Sequence, residues 1–136
     1  MAANDAKANL ARARKYLAAI ERGAGTAELS TFLTPDVVQM EFPNRLLPHG
    51  AERDRTALAE AGERGKALLK EQRFEVRNAV AAGNAVALEL TWTGTLAVPF
   101  HSVPVGGQLR AHFAFFMEFR NGRIARMHNY DCFEPW

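Results

Sequence analysis

The chain has 136 residues, of which 48% are hydrophobic and 24% charged, with 17 Lys and Arg against 15 Asp and Glu. That length and balance suit one domain over residues 1–136 and exclude a largely disordered chain. A formal net charge of +2 is too small for a polyanion-binding surface, so no nucleic-acid partner is expected.

The opening run "MAANDAKANLARARKYL" carries charge throughout and has no apolar stretch of the length a signal peptide or membrane span needs. A cytoplasmic protein without membrane contact is expected. From about Asn4 to Arg22, the apolar residues Leu10, Ala13, Leu17 and Ile20 recur at helical spacing, and Gly23 stops the helix. Thr26 reads as the N-cap of a short second helix with Leu29, Phe32 and Leu33 on its buried side. "DVVQMEF" alternates as a strand, with Val38, Met40 and Phe42 on the face assigned to the pocket and Val37, Gln39 and Glu41 opposite. After the loop "RLLPHG", residues 51–70 read as a helix that Gly62 and Gly65 weaken.

Everything beyond reads as strand. Hairpin turns are expected across Ala82–Asn84, at Gly106–Gly107 and at Asn121–Gly122. Helices followed by a strongly bent antiparallel meander make an α+β protein. Residues two apart share a sheet face. Leu109, Ala111, Phe113, Phe115, Met117 and Phe119 therefore form one apolar row, and Val86, Leu88, Leu90 and Trp92 another.

In the last strand the row Ala125, Met127, Asn129, Asp131 and Phe133 places two polar groups among apolar ones. A carboxylate removed from water either finds a partner or becomes neutral by raising its pKa, a condition for acid–base work near neutral pH. The alternative is a bulge beyond Tyr130 that turns Asp131 to solvent. The four histidines show no ligand spacing and the single Cys132 has no thiol partner, so neither a metal site nor a disulfide is expected. His112 and His128 read as outer-face residues, and Arg120, Arg123 and Arg126 as a solvated rim around a turn.

The run of helix, short helix, strand, "PHG", helix and a sheet closing in "FRNGRIARMHNYDCFEPW" resembles the SnoaL-like, nuclear transport factor two-like superfamily. Ketosteroid isomerase, polyketide cyclases, limonene epoxide hydrolase and the phenazine biosynthesis A/B proteins belong to it. The resemblance implies a cone: a curved antiparallel sheet wrapped around the N-terminal helices, with a deep apolar pocket, in a homodimer. Tyr16 matches the oxyanion-binding tyrosine of ketosteroid isomerase, but that enzyme's two catalytic aspartates fall on Phe42 and Phe115. Its known mechanism is thereby excluded. The limonene epoxide hydrolase acids and arginine fall on Asn129, Ala87 and Glu89, so that triad is broken too. The phenazine proteins match around Arg110, His112, Phe113, Phe119, Asn121 and Gly122.

Two functions stay open. One is a cofactor-independent isomerase or cyclase, with Asp131 exchanging the proton and Asn129 and Tyr16 donating hydrogen bonds to an oxyanion. The other is a binding module that holds an apolar, cyclic small molecule without chemistry. In both, Met40, Phe42, Leu88, Trp92, Phe113, Phe115, Met117 and Met127 are expected to line the pocket, with Phe133 and Trp136 over its rim.

Overall fold

Asp5 accepts hydrogen bonds from the Lys7 and Ala8 amides at 3.0 and 3.3 Å, which caps helix α1 (Ala6–Glu21). The structure, a computed structural model, describes residues 5–136. Asn9, Ala13, Tyr16 and Leu17 are buried at helical spacing, and a left-handed Gly23 follows the helix end. Helix α2 (Thr26–Ser30) begins one residue earlier than the sequence suggests: Gly25, not Thr26, is its N-cap. Phe32 lies beyond it, and Leu33 already opens strand β1 (Leu33–Glu41).

The next segment departs from the expected helix over 51–70. Asn44 Oδ1 accepts the Leu46 and Leu47 amides at 2.9 Å each, and the chain reverses through Gly50 at φ +68° into a short strand β2 (Ala51–Arg53). Only then does Asp54, accepting from the Ala57 amide at 2.9 Å, cap helix α3 (Arg55–Leu68). Three residues of strand carry too little periodicity to separate from a helix start.

Four long strands follow: β3 (Leu69–Ala82), β4 (Ala85–Leu96), β5 (Gln108–Arg120) and β6 (Arg123–Phe133). The turns at Gly83–Asn84 and Asn121–Gly122 are tight, as expected; Asn121 and Gly122 both take positive φ, +53° and +76°. Gly106 and Gly107 instead close a longer loop, bonded back to Leu96 on both sides, with a Phe100–Val103 bridge inside it.

All strands form one curved sheet in the order β2-β1-β6-β5-β4-β3, antiparallel except where β1 runs parallel to β6. The protein is α+β, as the sequence implies. Helix α1 covers the inner face, where Leu88, Leu90, Phe115, Met117 and Met127 join Ala13 and Leu17 in one cluster. Each buried Leu, Phe or Met among them contributes roughly 1.5–3 kcal/mol. A bulge between Glu118 and Phe119 resets the register, so Ile124 rather than Ala125 enters the core.

Candidate functional site

Register decides which face of β1 looks inward. Gln39 pairs with Met127 and Glu41 with Asn129 on β6, and both β6 residues are buried on the inner row. Val37, Gln39 and Glu41 therefore face inward, the reverse of the expected assignment. Met40 and Phe42 lie on the outer face and line no pocket with the other named residues. The Phe42 ring stacks on outward-facing Tyr130 at 4.5 Å and meets the edge of His128 at 5.6 Å. Hydrophobicity alone misassigns this strand, because its inner end is polar.

The inner polar groups join in a chain. Asn44 Nδ2 donates to Glu41 Oε2 at 2.8 Å, Arg53 Nη1 donates to Glu41 Oε1 and to Gln39 Oε1 at 2.9 Å each, and Gln39 Nε2 donates to Asn129 Oδ1 at 3.1 Å. The Glu41 and Arg53 side chains are only 12% and 11% exposed, so this ion pair is desolvated and both partners need the other.

Asp131 stands one step further along the Asn129 row, beside Phe113 of β5. One carboxyl oxygen, Oδ1, is sealed from water and has no hydrogen-bond partner. Burial pushes its pKa up to about 7; the Glu41 charge adds to the rise and Arg53 opposes it. The bulge that would have turned Asp131 outward is absent here, since β6 runs regularly through Phe133.

A cavity of about 270 Å3 opens between the helices and the inner end of the sheet. Ile20, Leu29, Leu33, Leu58 and Leu69 supply its apolar wall, and Gln39, Glu41, Arg53, Arg55 and Gln72 its polar one. Tyr16 lines it as well, and burial raises its phenol to about 12, so the hydroxyl stays a donor.

Of the residues expected from the sequence to act in or line the site, Tyr16 alone is on the cavity wall. Asn129, which accepts from Gln39, and Asp131 do not line it. Leu88, Phe115, Met117 and Met127 are packed in the core beneath α1, which fills the part of the concave face where a pocket was expected. Trp92 and Phe113 stack at 5.8 Å, and Trp92 Nε1 donates to Gln72 Oε1 at 3.0 Å, so the pair backs the wall without forming it. Phe133 and Trp136 do meet at the sheet end, where Arg45 lies over the Trp136 ring at 4.6 Å.

Sequence reasoning missed Gln39, Glu41, Arg53 and Arg55. The available signal was the acid and amide alternating with Val37 on β1, followed by an arginine after a Pro-His-Gly turn. Among the described residues no cluster of three or more His, Cys, Asp or Glu is placed to hold a metal ion.

Residues 13–127 match the model of the SnoaL-like domain family, which is most of the chain. The protein belongs to the SnoaL-like family. Solved structures agree on the fold. AclR, a proposed hydroxylase from Streptomyces galilaeus, is 20% identical with a TM-score of 0.77 over 93% of this chain and 80% of its own. IdmH, a proposed polyketide cyclase from Streptomyces antibioticus, is 22% identical with a TM-score of 0.76 over 90% of this chain and 91% of its own. A ketosteroid isomerase-like protein from Catenulispora acidiphila, in complex with trimethylamine, is 18% identical with a TM-score of 0.68, covering 88% and 83%. No curated protein sequence matches this SnoaL-like chain.

Proposed function

We propose that this SnoaL-like protein is a cofactor-independent isomerase or cyclase for a small, cyclic, mainly apolar molecule, with Asp131 exchanging the proton. One observation carries the reading: a carboxyl raised to about 7 on an inner apolar row, next to the buried Glu41–Arg53 pair at the polar end of a cavity. At that pKa both protonation states are populated near neutrality, so one group can accept and return a proton. Glu41 is fixed by Arg53 and Asn44, and its charge adds to the rise that burial gives the Asp131 pKa.

Of the two donors named from the sequence, Tyr16 fits the same role. Tyr16 lines the cavity and its hydroxyl stays neutral. A preorganised donor of this kind stabilises a developing oxyanion by about 3 kcal/mol. Asn129, off the cavity wall, accepts from the Gln39 amide and so positions that wall residue instead. The proposed polyketide cyclase assignment of IdmH fits the same substrate class.

A binding module without chemistry is the second reading, favoured by the absence of Asp131 from the cavity wall. The test is exchange of α-hydrogens for deuterium in a panel of cyclic ketones and polyketide-like phenols, followed by NMR. Under the enzymatic reading Asp131→Asn keeps ligand binding and loses exchange by a factor of about 100 or more. Unchanged exchange removes Asp131 from the mechanism. We also propose a homodimer, in which a second copy covers the exposed Phe116 and Tyr130 of the outer sheet face.

A further inference from the structure

The charges around the cavity do not cancel. Arg53, Arg55 and Lys66 line it against two carboxylates, Glu41 and Glu63. Arg53 is paired with Glu41 at 2.9 Å, and Lys66 lies 3.8 Å from Glu63 on exposed side chains. Arg55 has no carboxylate within ion-pair distance among the described residues. Its Nη2 donates to the Ser30 carbonyl at 3.0 Å, and its Nε is sealed from water with no partner at all.

An orphaned N–H on a cation is costly, and arginine has no escape by losing its proton. That Nε lies out of a ligand's reach, but Nη1 makes no hydrogen bond and is not sealed from water, so it is open to an acceptor that the protein does not itself supply. The Nη1–Nη2 end of the flat guanidinium keeps hydrogens beyond the one given to Ser30, and it suits two oxygens in one plane, the geometry of a carboxylate. A phosphate dianion fits less well, because Glu41 lines the same cavity and one free guanidinium cannot match two charges.

We infer that Arg55 is the anion anchor of the cavity, and that the ligand is an apolar organic acid whose carboxylate meets Arg55 while its rings lie against Leu29, Leu58 and Leu69. This rests on the proposal that the cavity is the ligand site, and it is independent of the role given to Asp131. Arg55 opens α3 and reaches the last residue of α2, so an acid bound there would also tie these two helices across the cavity.

The experiment is calorimetric titration of the full chain at pH 7.5 with 2-naphthoate and with 2-naphthamide, which differ in charge and little in shape. The acid is expected to bind at least about tenfold more tightly, as one charge-assisted hydrogen bond warrants. Arg55→Gln should bring the two within about twofold while leaving the amide's affinity in place, and Lys66→Met should leave the acid preference intact. Equal affinities in the unaltered protein, no naphthoate binding at millimolar concentration, or a preference that survives Arg55→Gln would each overturn the anchor. If Arg55→Gln does not fold, the acid–amide comparison in the unaltered protein still decides. Asp131→Asn, run alongside, separates the two readings. An acid preference without proton exchange overturns catalysis alone, and exchange without an acid preference overturns the anchor alone.

Discussion

A carboxyl that gives up water to sit on an apolar row costs the fold more as the pH rises. For Asp131 the folded pKa of about 7 lies above the ordinary 3.8. Between these values the folded chain holds a proton that the unfolded chain releases, so this contribution is fully present below about 3.8 and is lost as pH rises through about 7. Asp131→Asn should therefore gain little stability at pH 4 and on the order of 4 kcal/mol at most at pH 8, measured by urea unfolding. An advantage that is the same at both pH values would contradict the buried placement. Glu41→Gln should lower the Asp131 pKa, because it removes the neighbouring negative charge and frees Arg53, and NMR titration reads the direction. Asn129 and Asp131 were legible in the sequence as two polar residues on an oily row. Glu41 and Arg53 were not, because neither shows its partner until β1 and β2 pair.

Elements were legible where one period dominated. Strands β4 and β5 alternate cleanly and their turns carry Gly and Asn, so faces and hairpins followed directly. Strand β1 alternates too, yet both of its rows mix polar and apolar residues, and only its parallel pairing with β6 fixes which row is inside. The turn into β2 depends on Gly50: at φ +68°, a Cβ there would lie 2.5 Å from the Glu41 carbonyl oxygen. Gly50→Ala should cost more than about 1 kcal/mol in thermal or chemical unfolding, through strain and backbone collision together. The opposite is expected in α3, whose residues are nowhere fully buried. Added Cβ atoms at Gly62 and Gly65 meet nothing within 4 Å, so Gly62→Ala and Gly65→Ala should each stabilise by roughly 0.5–1 kcal/mol. Loss of stability in either would show that α3 is packed more tightly than its open surface indicates.

At the scale of the molecule, the sheet divides the residues into two sets with different tasks. Its inner face holds the core, the polar chain and Asp131. Its outer face leaves Phe116 at 50% and Tyr130 at 42% exposure, with Phe42 stacked beside them. Exposed aromatic rings in one patch suit a covering partner. Under the proposed homodimer, Phe116→Glu should halve the mass seen by light scattering on a sizing column, whereas an unaltered mass for both forms would contradict it. The cone and its family were legible because order and turns survive at low identity. The cavity's place was not, because it depends on how far α1 fills the concave face, and no periodicity records that. Whether this fold holds a proton where chemistry can use it is read most directly from the carbon-13 carboxyl signal of Asp131, titrated by NMR and assigned with Asp131→Asn. An apparent pKa near 7 is the expected result. A value near the ordinary 3.8, with a signal broadened by paramagnets in solvent, would place the carboxyl in water and end the enzymatic reading.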